Sequence, residues 1–303
     1  MDRNYLDYTE WQSTADTLHM LLQIVGKVKL AYCDKRPEWA HARLYLTVDG
    51  MTTGIIPGDN SSYFEILVNF RKHHIEVRND KYEYVKVPLK NGVTIAEYYR
   101  QIVEALKFIG SPTELNVRSQ EFYDPVELDK DDKHHHYDEK AVTLFLENLL
   151  FAYKATSKFV SPFRGKVDFP AYYFGTMDLS AIIYSGEPAP FANKGKISYH
   201  AFDERNLEVG FWPGDPRFTK PSFYAMPYPF LSSLKGHDGM IHPAKAIFVP
   251  EKKEFFFTLE DALSYDDPIE AVNIFYQSCF NIVQKIKRWD NLDWLIKPLT
   301  YSE

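Results

Sequence analysis

The sequence predicts an α+β fold: an antiparallel sheet with helices mainly on one face, laid out as two similar helix–strands–helix halves. Three observations lead there. Apolar residues recur at helical spacing at the start and end of each half. The stretches between them are strand-like and joined by short turns, which implies antiparallel neighbours. The same plan then occurs a second time along the chain.

The first helix is expected from about Asp16 to Lys29, where Leu18, Leu21, Leu22, Val25 and Val28 share one face. Strand-like segments follow at Arg43 to Thr53, Tyr63 to Phe70, His74 to Arg78 and Tyr82 to Pro88. Asp49-Gly50, Pro57-Gly58-Asp59-Asn60 and Asn79-Asp80 supply the turns. Thr94 and Glu97 form a capping box that opens a second helix, with Ile95, Tyr98, Tyr99, Ile102, Val103 and Leu106 inward and Gly110 and Pro112 as the stop.

Residues 119–137 are polar and acidic, and read as a linker between a half at 1–118 and a half at 138–303. Asp138 caps the next helix, whose expected buried face is Val142, Phe145, Leu146, Leu149 and Tyr153. Strands are expected at Ala171 to Tyr184, Ile197 to Ala201, Leu207 to Trp212, Phe223 to Met226, Ala246 to Val249 and Phe255 to Leu259. Asp267-Pro268-Ile269-Glu270 begins a last helix, with Val272, Phe275, Tyr276, Cys279, Ile282, Val283 and Ile286 inward. A Pro- and Gly-rich stretch at about 186–245 reads as an insertion in the second half. Internal duplication, with each half a helix-grip or saddle-like unit, is the expectation; two unrelated α+β layers are the alternative.

Composition narrows the function classes. Hydrophobic residues make up 45% and charged residues 25%, which suits a globular chain and not a disordered one. The net charge is −7 with no Lys/Arg cluster, so no nucleic-acid partner is expected. Cys33 and Cys279 lie far apart and suggest a reducing compartment. The stretch from Met1 to Asp7 has no apolar signal core, and no apolar run approaches the roughly 18 residues of a membrane helix. A cytoplasmic protein without membrane association is expected.

Four groups of residues stand out. His19, Gln23 and Lys27, at i, i+4 and i+8, form a polar stripe on the first helix, facing either a cleft or solvent. Asp178 sits where a strand meets a turn; a buried carboxylate there needs backbone N–H donors or a cation such as Lys27 or Arg43. Trp212, with Tyr224 and Tyr228 further on, either covers a pocket mouth or anchors a long loop. The run His134-His135-His136 offers metal-ligand chemistry, but neighbouring residues point different ways, so a solvated connector is expected and no metal. Phosphate-loop, dinucleotide, nucleophile-elbow and zinc-helix motifs are all missing, and no cofactor is expected.

Several stretches together resemble a bacterial family of full-length proteins of unknown function. They are Asp16-Thr17-Leu18-His19-Met20, Gln23-Ile24-Val25-Gly26-Lys27, Gly50-Met51-Thr52-Thr53 with Ile56-Pro57, Met177-Asp178-Leu179, Ser185-Gly186-Glu187-Pro188-Ala189-Pro190, Gly210-Phe211-Trp212-Pro213-Gly214 and Phe223-Tyr224-Ala225. The resemblance implies a self-contained bacterial protein and brings no activity or cofactor. The chain departs from the family pattern at Glu204 and Arg205, where a His-Glu pair is usual and the nearest histidine is His200. It departs again at Ile183 and Glu187, where basic residues are usual, and any chemistry resting on those positions is affected.

Three functions follow as expectations. The first is a small-molecule binding protein with an aromatic-lined cleft between the halves, drawing on His19, Gln23, Lys27, Asp178, His200, Trp212 and Tyr224. The second is an enzyme, hydrolase or isomerase, using His19, Lys27 and Asp178. The third is a protein-partner or structural module.

Overall fold

The computed structural model describes residues 5–59, 62–192 and 196–300. Outside them lie part of the N-terminal stretch read for a signal, Asn60 of an expected turn, and a short piece of the expected insertion. The fold is α+β with two antiparallel six-stranded sheets. The chain divides into two compact units: residues 1–148 with 172–178, and residues 149–171 with 179–303.

In the first unit, helix α1 (Tyr8–Tyr32) starts a full two turns before the expected position. Its true start is a capping box: Asp7 accepts from the third-position backbone and Glu10 reaches back to the Asp7 N–H at 2.7 Å. Strands β1 (Tyr45–Thr47), β2 (Gly50–Thr52), β4 (Tyr63–Asn69), β5 (His74–Asn79) and β6 (Tyr84–Pro88) form an antiparallel meander in that order, and β3 (Ile56–Pro57) also pairs with β4. Ile66 faces Val77 and Val68 faces Ile75 across β4 and β5. These alternate residues are fully buried, and α2 (Ile95–Phe108) packs on β5 and β6. The opposite face carries an exposed charge ladder, with Arg78 on Glu65 at 2.8 Å and Lys86 on Glu76 at 3.3 Å. Thr94 caps α2 as expected, but the Glu97 carboxylate does not reach back; it takes N–H bonds from Arg100 and Gln101 instead.

Residues 119–137, expected as a linker, carry buried side chains and belong to the first unit. Phe122, Leu128, Asp131, His134 and Tyr137 are all buried. The carbonyls of Asp131, His134 and His135 accept from Ala96, Ile95 and Gly92, so this segment satisfies donors at and just before the start of α2.

Helix α3 (Glu139–Val160) is capped by Asp138, which accepts from Lys140 N at 2.8 Å, and the unit division falls within it. Tyr153, expected inward, is 40% exposed. The expected single strand from Ala171 to Tyr184 is a hairpin, β7 (Val167–Tyr173) and β8 (Asp178–Pro188), whose tip at 172–178 is counted with the first unit.

The second sheet runs β11-β12-β10-β9-β8-β7, with β9 (Glu204–Trp212), β10 (Ser222–Tyr228), β11 (Ile247–Val249) and β12 (Glu254–Thr258). The stretch expected as an insertion therefore supplies two central strands. Its Pro and Gly residues mark turns and one tight packing point: a Cβ on Gly210 would lie 2.8 Å from the Tyr224 ring. Ile197 to Ala201, read as a strand, is part of the short helix α4 (Lys196–Ala201). The helix α5 (Leu259–Leu263) leads to α6 (Pro268–Lys287), capped by Asp267 with Pro at its first position, as expected. Phe275, Tyr276 and Cys279 of α6 are buried, with Phe275 5.7 Å from Phe257, and the Tyr276 hydroxyl donates to Gly210 O at 2.9 Å. Both sheets are largely meanders, but at one edge of the second β12, and not β11, lies beside β10. This similarity of layout does not establish the expected duplication.

Candidate functional site

The polar stripe of α1 is not solvated. Every residue from Thr14 to Lys29 is buried, so the helix is enclosed all round and its polar side chains need partners. Two stretches of the first unit supply them: residues 120–123 and the hairpin tip.

The loop meets the helix residue by residue, in antiparallel sense. Asp16 accepts from Tyr123 and Tyr8 hydroxyls at 2.5 and 2.6 Å. Phe122 packs edge-on against His19, with centroids 5.2 Å apart. Gln23 clamps the Gln120 backbone, donating to its carbonyl at 2.9 Å and accepting from its N–H at 2.7 Å. The hairpin tip adds the remaining bond to His19, whose Nε2 donates to Gly175 O at 3.0 Å. Burial holds the His19 pKa down at about 4; the Gly175 and Phe174 carbonyls oppose that shift and nearby His134 adds slightly to it. The ring is neutral and tied to the scaffold at physiological pH.

Gly26 is where the tip touches the helix most closely. A Cβ there would lie 2.0 Å from Phe174 Cδ1, a distance that only movement of the ring or the backbone can relieve. Gly26→Val is expected to destabilise the fold by about 2–3 kcal/mol through overpacking, read as a lowered urea midpoint.

Lys27 continues the stripe one turn on, and it differs from the residues before it. It is 3% exposed and makes no hydrogen bond, ion pair or cation–π contact with any described residue. Burial alone lowers its pKa from 10.5 to about 8. Two more buried polar atoms lack partners on the flanking segments: Ser119 Oγ, just before the loop, and Tyr172 OH, on the hairpin tip. Burial and nearby Asp178 raise the Tyr172 pKa well above its ordinary value, so its hydroxyl keeps its proton.

The other expected residues fall as follows. Asp178 is buried and accepts from the Thr176 hydroxyl; neither His19 nor Lys27 bonds to it, so the proposed His19–Lys27–Asp178 set is not joined by hydrogen bonds. Glu121 lies close enough to Asp178 for burial and that charge to raise its pKa. Arg43 donates to Tyr173 OH at 2.6 Å. Trp212, Tyr224 and His200 belong to the second unit. Trp212 stacks with Phe218 at 5.9 Å beneath Lys252, Tyr224 donates to Glu208 at 2.8 Å, and His200 is exposed on α4 beside Tyr199.

The histidine run is not a uniform connector. His134 is buried, its Nδ1 2.7 Å from Asp131 Oδ2, while His135 and His136 are exposed. That i, i+3 pairing was readable as Asp131-x-x-His134 and was passed over. Ser119 and Tyr172 were also missed, because nothing local marks a hydroxyl that the fold leaves unpaired. Among the described residues, no group of three or more His, Cys, Asp and Glu is placed to hold a metal ion, and no helix is long and apolar enough to cross a membrane.

Fold and site together define a two-unit α+β protein whose first helix is buried along its polar stripe and carries an unpartnered lysine. The chain belongs to a family of unknown function, DUF5996, whose model matches residues 4–294. No curated protein and no solved structure matches it.

Proposed function

We propose that the protein binds a small molecule through an oxygen acceptor, a carboxylate or a carbonyl, presented to Lys27. The observation that carries this reading is a lysine, 3% exposed as a residue, that makes no hydrogen bond or ion pair with any described residue. Partial desolvation of an ammonium is unfavourable, and an apolar side chain of similar volume avoids it. A ligand oxygen supplies the missing partner. His19 and Gln23 serve this site as scaffold, since both spend their polar atoms on backbone.

The two thiols are unpaired, and that of Cys279 is buried with its pKa pushed well up, which suits a reducing compartment such as the cytoplasm. The net charge of −7 argues against a phosphate-backbone partner.

Thermal-shift and calorimetric titration with a panel of small carboxylates and carbonyl compounds tests the proposal. At least one class is expected to raise Tm in the wild type and to lose that effect in Lys27→Met. A panel without any stabilising compound, or stabilisation that persists in Lys27→Met, sinks the reading.

A further inference from the structure

Trp212 ends β9 in the second unit, where three aromatic rings surround one lysine head group. We infer that Trp212, Phe218 and Phe256 form a binding site for a small quaternary ammonium ion, with Lys252 as its built-in, displaceable occupant.

The rings are brought together by strand register and one turn. Alternation along the second sheet separates two faces. Phe223 and Phe257 lie toward α6, 6.3 Å from Tyr276 and 5.7 Å from Phe275. Trp212 and Phe256 take the other face, because Ser222 pairs with both Trp212 and Thr258, and Phe256 stands two residues before Thr258. Phe218 comes from the connection between β9 and β10. Asp215 fixes it there, accepting from the N–H groups of Arg217 and Phe218, each at 2.7 Å, while its own N–H donates to Phe218 O at 2.9 Å. Gly214 makes that turn possible: its φ is +97°, and a Cβ would lie 2.7 Å from Phe218 O. Phe218 then stacks on Trp212 at 5.9 Å and packs against Phe256 at 5.0 Å. Phe256 is buried, and Trp212 and Phe218 are half-buried.

Lys252, in the turn between β11 and β12, already shows what the rings attract. Its ammonium lies 4.7, 5.2 and 5.6 Å from the centroids of Trp212, Phe218 and Phe256. Its side chain makes no hydrogen bond or ion pair with any described residue. Lysines elsewhere in the chain approach a single ring more closely and have a second partner. Lys166 is 3.9 Å from Tyr184 and pairs with Glu204; Lys29 is 4.2 Å over Tyr45 and donates to the Arg43 carbonyl. Lys252 instead stands off from three rings at once. That spacing suits a nitrogen wrapped in methyl groups, whose carbons meet ring carbons at about 3.5–4.0 Å. A primary ammonium is strongly hydrated, and among rings its N–H donors find no acceptor. A quaternary ammonium has no N–H to leave unpaired, keeps its full charge and draws the same attraction from the ring faces. Lys252 is exposed on a flexible stem, so it can swing out and admit the better-fitting cation.

The test is calorimetric titration of the full-length protein with choline and with tetramethylammonium. The control is the neutral alcohol in which carbon replaces the nitrogen of choline. At least one cation is expected to bind saturably, with a Kd of about 1 mM or tighter, and about tenfold more tightly than the neutral control. Lys252→Gln removes the tethered competitor and is expected to tighten that binding about threefold or more. In the Lys252→Gln background, Phe218→Leu and Trp212→Leu, each checked for native circular dichroism, are expected to weaken it about tenfold. No saturable binding to the wild type or to Lys252→Gln overturns the inference, and so does a neutral control that binds as tightly as choline. Weaker binding in Lys252→Gln overturns the occupant role, and unchanged affinity in both ring variants places the cation elsewhere and overturns the site. Choline and tetramethylammonium carry neither carboxylate nor carbonyl, so this outcome and that of the Lys27 titrations stand or fall separately.

Discussion

Replacing Gln23 with leucine is expected to cost about 4 kcal/mol of stability. The side chain is fully buried, and its amide serves both the N–H and the carbonyl of Gln120. Leucine fills much of the volume but supplies neither partner. Each orphaned buried backbone group costs about 1–3 kcal/mol, and here there are two. The loss also frees residues 120–123 from the helix, so Phe122 and Tyr123 lose their seating against His19 and Asp16. Urea unfolding at pH 7 measures it. A change below about 1 kcal/mol would mean that solvent reaches Gln120 and that the clamp is not a structural bond.

Lys27→Met should do the reverse and stabilise the protein at neutral pH. The folded state holds the Lys27 proton less tightly than the unfolded chain does, with a pKa of about 8 in place of 10.5. The unfolded state therefore binds more protons between pH 8 and 10.5, and the stability of the wild type rises with pH across that window. Below pH 8 the penalty of burying the charge is fully present; above 10.5 it is gone. The full depression is worth about 3 kcal/mol, and about 2 kcal/mol remains after allowance for screening by nearby solvent. The variant should gain that much at pH 7 and lose the advantage as the pH approaches 10.5. A pH-independent difference would show that packing, and not charge, separates the two proteins.

Much of the fold was legible because short-range rules settle it. Alternation located β4 and β5, and Asp267 followed by Pro268 marked the start of α6. The failures were equally physical. Ile197-Ser198-Tyr199-His200-Ala201 alternates apolar with polar over too few residues to tell strand from helix, and it folds as helix. Periodicity placed His19, Gln23 and Lys27 on one side of α1 but could not say what covers that side. The cover comes from residues far along the chain: Gln120 and Gly175 lie 97 and 156 positions away from their partners. For Asp178 the sequence offers backbone N–H groups or a cation as donors, and the structure adds the Thr176 hydroxyl, two residues away. Of the cations weighed as its partner, Lys27 does not bond to it, because sequence shows which charges exist and not which of them meet.

The hairpin tip has a consequence for the order in which the molecule can be completed. Helix α1 leaves the ribosome early, with its histidine and glutamine still unsatisfied on the face that will be enclosed. Gln23 must wait for residue 120 to be synthesised, and His19 for residue 175. Until more than half of the polypeptide has been made, the first unit lacks a piece of itself, and no truncation that ends before the tip can reproduce it. A nascent chain stalled at residue 150 should still be protease-sensitive along α1, and one stalled with residue 178 clear of the exit tunnel should not.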